Sequence, residues 1–324
     1  MYSSSNAGMG CFRFEATGYP VYYAKRLETA MAMFGDPEAF VTMSEREKYL
    51  YDLQGFLVVR DLLSADEVRA LNEALDANPD RTAEHGPGGA LDGTPLAGPY
   101  TQYIHYEGML TWDRPWCQPF RELLAHPKLI PYLNTMMGRG WKLDHNIDVL
   151  TSKPGAQGTP FHGNSTGTFA GSTYYMYDDG RMRSGLIVCQ FYLTDVNPGD
   201  GGLTVIPGSH KANFPMPGYV RNYEDQREIF HHIAVKAGDL VIFNEATTHG
   251  ALPWKGMGER RCVLHRYIPK YMHYDGGVYE TRMPEWTNEL TDAQRAVLEP
   301  PYIYNRPLIE DDGESIARPR REGI

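Results

Sequence analysis

The sequence predicts a mainly β protein, an antiparallel sandwich or barrel with α-helices packed outside it. From Trp141 to about Tyr271, short β-rich runs (KLDHNIDVLTS, GLIVCQFYLTD, GGLTVIPGS, HHIAVKAGDLVIFNEATTHGALPW, RCVLHRYIP) are separated by turn signals, the texture of an all-β core. Helical periodicity is confined to the segments before and after that stretch. Gly and Pro contribute 33 and 23 of the 324 residues, more than average usage but less than in low-complexity chains, which indicates a turn-rich globular protein.

Taken in order, residues 1–41 carry no clean periodicity and read as an irregular arm, residues 42–280 as the main domain with an N-terminal helical layer, and residues 281–324 as a C-terminal helix and tail. MSEREKYLYDLQ predicts a helix closed by Gly55, and FLVVR a short buried strand. Ser64 and Glu67 have the spacing of a capping box, and Val68, Leu71 and Leu75 recur behind them at helical spacing. Residues 79–99 are crowded with Gly and Pro and predict a long surface loop bordering a cleft. FRELLAHPKLIPYLNTMMG predicts helical segments around Pro127 and Pro131, and one further helix is expected from Thr291 to Leu298 before a charged, fraying end.

Composition excludes several function classes. The chain has 31 basic against 41 acidic residues, a net charge of −10, which argues against nucleic acid as a partner. No apolar run approaches the ~18 residues of a membrane span, and the start lacks a signal-peptide pattern, so a cytoplasmic protein without a membrane partner is expected. Four cysteines, Cys11, Cys117, Cys189 and Cys262, lie far apart without a C-x-x-C pair, as in a reduced compartment.

His162 in TPFHGN and His249 in ATTHGALPW each fall where a predicted strand ends. Two imidazoles and a carboxylate on one face of an octahedral metal leave adjacent positions for a chelating cosubstrate and dioxygen. Two histidines 87 residues apart are not by themselves such a site, because most histidines are surface or satisfied core residues.

The context adds to them. GFLVVRDLLSADEVRAL, TDVNPGDGGLTVIPGSHK and AGDLVIFNEATTHGALPWKGMGERRCVLHRY, in that order and with both histidines, resemble the phytanoyl-CoA dioxygenase family of iron(II)/2-oxoglutarate oxygenases over roughly Tyr51 to Tyr271. The resemblance implies a double-stranded β-helix (jelly roll, cupin-like) core, Fe²⁺ and 2-oxoglutarate as cofactors, dioxygen as co-reactant and hydroxylation of a small molecule. It also implies His162 and His249 as metal ligands, with Arg260, 11 residues after His249, gripping the far carboxylate of 2-oxoglutarate. Arg261 is the register-shifted competitor, since strand alternation turns only one of the two inward. Where many relatives carry a hydroxyl two residues after the distal histidine, this chain has Ala251.

The main departure is His162-Gly163-Asn164, where the family has H-x-D or H-x-E. Asn164 as third metal ligand would bring an amide oxygen without charge. Three readings follow: an oxygenase with a weakened iron site, a halogenase-like variant in which a halide replaces the acid, and a non-oxidising binding protein. Asp144, Asp148, Asp178 and Asp179 are the acids weighed as substitutes, against solvated, salt-bridged or turn roles. His145 and Thr204 are further candidates for cofactor contact, with a structural histidine as the alternative for the first and an unresolved strand face for the second. Tyr174, Tyr175 and Tyr177 are a candidate substrate wall, although tyrosines more often serve packing. Neither the substrate nor the oligomeric state can be read from the sequence.

Overall fold

The long apolar runs of the central third become strands buried on both faces. In the computed structural model, which describes residues 43–85, 91–145, 147–163, 171–274, 283–303, 306–310 and 316–317, the elements follow in chain order. They are α1 (Glu45–Gln54), β1 (Phe56–Val59), α2 (Ala65–Asp76), β2 (Thr82–His85), β3 (Tyr103–Tyr106), α3 (Gln118–Leu123), α4 (Ile130–Met137), β4 (Lys142–Leu143), β5 (Asp148–Ser152) and β6 (Thr159–His162). The chain continues through β7 (Tyr175–Asp178), β8 (Arg181–Ser184), β9 (Ile187–Tyr192), β10 (Gly202–Val205), a single helical turn α5 (Gly218–Arg221), β11 (His231–His232), β12 (Leu240–Asn244), β13 (His249–Leu252), β14 (Arg260–Ile268) and α6 (Asp292–Leu298). The irregular arm expected over 1–41 lies outside the described residues, as do Asn164 and most of the charged tail.

Two antiparallel sheets form the core. The larger runs β1-β12-β9-β14-β5-β3-β2, with β4 also on β14, and the smaller runs β11-β10-β13-β6. Val188, Tyr192, Val241, Phe243, Cys262 and Leu264 from the larger sheet meet Leu203 and Val205 from the smaller in one apolar layer. The alternate residues, Ile187, Cys189, Phe191, Leu240, Ile242 and Val263, point the other way and pack under helical residues such as Leu71, Leu75, Phe120 and Leu133. This two-sided burial is why the strands read as continuous apolar runs rather than as alternation.

Three of the helices start where their caps say. Ser44 and Ser64 each form a complete capping box, with Glu47 and Glu67, and Thr291 forms one with Gln294; Gly55 ends α1 in the left-handed region at φ 83°. One expectation fails. Within the loop predicted over 79–99, Thr82–His85 is a strand, recruited by pairing with β3 from Thr82↔Tyr106 to His85↔Tyr103, so a tertiary partner overrides weak local preference. No helix among the described residues is long and apolar enough to cross a membrane.

Candidate active site

His162 and His249 are direct cross-strand partners, at the end of β6 and the start of β13. Opposed residues of an antiparallel pair project to the same side, and the two rings lie 4.2 Å apart between centroids. The register slips by one residue between His249 and Ala251. Pro160 lies inside that irregular stretch of β6, an edge strand of the smaller sheet, where a residue without an N–H is tolerated.

Each ring is oriented by a backbone carbonyl. Nδ1 of His162 donates to Pro160 O at 3.0 Å and Nδ1 of His249 to Thr247 O at 2.7 Å. A neutral ring held in this way carries its lone pair on Nε2, the tautomer a metal requires. Burial, with His162 alongside, lowers the His249 pKa to about 4, so this imidazole is neutral at pH 7.

The segment PGSHK proves to be the brace of the distal histidine. Ser209 Oγ accepts from Thr248 N at 2.7 Å, Thr248 O accepts from Ile206 N at 2.9 Å, and Thr247 Oγ1 donates to Gly55 O at 3.0 Å. His210 is buried, 3.1 Å from Asp52 O through Nε2 and edge-on to Tyr175; it anchors the turn and takes no part in the site.

A cavity of about 260 Å³ opens beside the histidine pair. Arg260 lines it and is 6% exposed. Its guanidinium lies 6.0 Å from the Trp254 ring centroid, its Nε has no hydrogen-bond partner, and among the described residues no carboxylate pairs with it. An isolated buried cation costs several kcal/mol even after relaxation, so the arrangement asks for an anion. Arg261 points out of the barrel to Asp76 and Glu259, each at 2.7 Å. Alternation thus turns Arg260 inward and gives the surface salt bridges to its neighbour.

Gly202 makes the room for Arg260. It has φ +85°, and a Cβ there would lie 2.6 Å from the Arg260 Nη1 atom. Gly202 pairs with Leu252, three residues along β13 from His249, which sets the backbone beside the guanidinium about 10 Å along the strand from the distal histidine, at roughly 3.3 Å per residue. A short dicarboxylate can bridge that span. Gln190 also lines the cavity and donates to Cys262 Sγ at 2.9 Å. Ala251 carries no hydroxyl, but Thr159, its cross-strand partner, brings one to the cavity wall and accepts from Ala251 N at 2.8 Å.

Several expected residues lie elsewhere. Thr204 faces away from the cavity, because Leu203 takes the inward position and the Thr204 hydroxyl bonds Gly202 O at 3.2 Å. His145 is not among the cavity-lining residues. It lies beyond the end of β4, 2.9 Å from the buried carboxylate of Asp144 and tilted against Tyr274, while His273 flanks the same acid at 3.2 Å. Tyr174, Tyr175 and Tyr177 do not line this cavity: Tyr174 meets Tyr271, Tyr175 donates to Asp52, and Tyr177 is exposed on the β7–β8 hairpin. Asp148 pairs with Arg266 at 3.3 Å and Asp179 turns the hairpin at φ 50°, so none of the four acids weighed from the sequence joins the histidines.

The acid that does join them is Glu245, which the sequence reading passed over. Ligand atoms of His162, Glu245 and His249 all lie within 4.8 Å of one another. The signal was an acid four residues before the distal histidine, in FNEATTH, but a turn residue has no periodicity to show where it points.

The family model for phytanoyl-CoA dioxygenase (PhyH) matches residues 51–262. Peroxisomal phytanoyl-CoA dioxygenase of Homo sapiens is 22% identical over 250 residues, covering 72% of this chain and 70% of that protein; the Mus musculus protein is 23% identical, covering 69% and 67%. Among solved structures, HygX from Streptomyces hygroscopicus with nickel, 2-oxoglutarate and hygromycin B bound superposes with a TM-score of 0.56 at 21% identity, over 71% of this chain and 89% of HygX. The non-haem α-ketoglutarate-dependent carbocyclase SnoK from nogalamycin biosynthesis gives 0.50 at 19%, over 81% and 94%.

Proposed function

Because the chain belongs to the phytanoyl-CoA dioxygenase family, and so to the non-haem iron enzymes that use 2-oxoglutarate, we propose that His162 and His249 hold the iron while Arg260 grips the far carboxylate of the cosubstrate. One observation carries this reading. A single cavity has two imidazoles whose Nδ1 atoms are held by backbone carbonyls in one part and, farther along the strands, a buried guanidinium that pairs with no acid among the described residues. Both features are unfavourable alone and are complementary to a metal-bound diacid.

When bound, iron with 2-oxoglutarate and dioxygen supplies the oxidising power to attack an unactivated C–H bond, with release of succinate and carbon dioxide. The protein's part is placement. Carbonyls of Pro160 and Thr247 fix the two rings, Trp254 and Gly202 fix the guanidinium, and the Thr159 hydroxyl offers a further polar contact where Ala251 has none. The apolar walls Val188, Leu203, Phe243 and Leu264 exclude water and keep the Arg260 charge strong.

The substrate is a small molecule in this reading. The likeness to HygX, whose structure holds hygromycin B, supports that class, and the cavity of about 260 Å³ falls below the ~300–1,000 Å³ that encloses a drug-sized ligand. It therefore takes the cosubstrate and the reacting end of a substrate, not a whole large ester.

The test is anaerobic titration. Fe²⁺ followed by 2-oxoglutarate should raise a weak visible charge-transfer band in the parent protein. Arg260→Gln should leave affinity for metal alone unchanged and weaken 2-oxoglutarate binding at least thirtyfold, the scale of ~2–5 kcal/mol for truncating one partner of a buried charge pair. Diacid affinity within twofold of the parent would remove Arg260 from the site.

A further inference from the structure

We propose that Glu245 supplies the carboxylate that the H-x-N triplet lacks, so that the metal-binding acid has moved from the proximal histidine's strand to the turn before the distal one. This rests on the metal reading above and adds its third ligand.

Topology brings Glu245 there. β12 belongs to the larger sheet and β13 to the smaller, so residues 245–248 cross from one sheet to the other at the end of the barrel. The first residue after β12 and the first of β13 both line the cavity. The crossing is held at each step: Glu245 N donates to Leu186 O at 2.9 Å, Ala246 N to Asn244 Oδ1 at 2.8 Å, Thr247 N to Asn244 O at 2.8 Å, and Thr248 N to Ser209 Oγ at 2.7 Å. Asn244 is itself tied to Tyr174 O at 2.9 Å through Nδ2. The carboxylate is thus carried by a braced turn.

Among the described residues the carboxylate has no other partner. Its side chain is 17% exposed, Oε2 has no hydrogen-bond partner, and Oε1 stands 3.7 Å from His249 Nε2, too far for a hydrogen bond. Among the described residues no lysine or arginine pairs with it. Among the described residues no donor reaches this carboxylate beside the two imidazoles, an arrangement that a cation between them would stabilise.

Charge makes the same case. With only an amide beside the histidines, the protein would offer the dication no negative charge. With Glu245 included, the dication, Glu245, the doubly charged cosubstrate and Arg260 sum to zero, a balance that suits an apolar-walled cavity. Neither Asp148 nor Asp144 can take the place, since each is already engaged by Arg266 or by His145 and His273.

Calorimetric titration of the metal-free full-length protein with Mn²⁺, without cosubstrate, tests the assignment. Glu245→Gln should weaken Mn²⁺ binding at least tenfold, as should His162→Ala, and Glu245→Asp should recover part of the loss. The Gln variant's metal-free Tm should equal or exceed the parent's, because an unpaired acid is removed, while the Mn²⁺-induced rise in Tm disappears. Loss of binding in His162→Ala with Glu245→Gln within twofold of the parent would overturn the Glu245 assignment and leave the oxygenase reading standing. If neither substitution changes Mn²⁺ binding, the metal site itself falls. Asn164→Asp that raises affinity tenfold in the Glu245→Gln background, to the parent value or above, would return the acid to position 164.

Discussion

Single residues in this chain are decided by which side of a strand they take. Arg260 and Arg261 are adjacent, yet one lies buried in the cavity and the other is bound to Asp76 and Glu259 at the surface. That outcome was legible in the sequence as a choice between two, because alternation is obligatory. Thr204 was equally a choice and fell the other way, with Leu203 inward. Glu245 was not legible, because its direction depends on a crossing between sheets rather than on a period. Gly202 shows the reverse dependence, a backbone position dictated by a distant side chain. Gly202→Ala places a Cβ 2.6 Å from Arg260 Nη1 at φ +85°, so the expected cost is ~1–3 kcal/mol of strain plus a displaced guanidinium. The variant should melt earlier and bind 2-oxoglutarate several-fold more weakly while retaining Mn²⁺ affinity. Unchanged diacid binding would mean that the arginine has room elsewhere.

Elements were legible where they announce their own ends. The S-x-x-E box of α2 and the glycine stop of α1 stand as expected, because caps are local chemistry. β2 was hidden because TAEH has little to recommend it as a strand; it exists through its ladder with β3. The separate roles of these elements can be tested apart from the site. α2 contributes Leu71, Ala74 and Leu75 to the layer outside the larger sheet, and none of its residues lines the cavity. Ser64→Ala removes a hydroxyl that accepts from Glu67 N and should cost ~1 kcal/mol, lowering Tm by about 2–4 °C. Mn²⁺ and 2-oxoglutarate affinities should stay within twofold of the parent at 25 °C. A change in either would mean that the helical layer is coupled to the cavity.

At the scale of the whole molecule, strand spacing foretold a β core with helices outside it, but not the order in which the strands pair. That order is what brings His162 opposite His249 across 87 residues, and no local pattern encodes it. Close packing has a second consequence, an acid limit set by buried histidines outside the proposed ligand set. His210 is held near pKa 4 and His265 near 3, in both cases chiefly by burial, with Lys211 also opposing charge on His210. The unfolded chain takes up these protons near the ordinary value of 6.5. Between that value and the folded ones, the unfolded state binds more protons, so stability rises with pH and is lost as pH falls. Each site contributes on the order of a few kcal/mol over the window. Urea midpoints of the metal-free protein should therefore drop steadily from pH 6.5 to 4 and stay flat with respect to these groups from 6.5 to 8. His210→Gln should reduce the slope of the acid limb. A slope unaltered by that change, with the variant folded at pH 7, would show that His210 protonates without opening its packing against Tyr175 and Gly55.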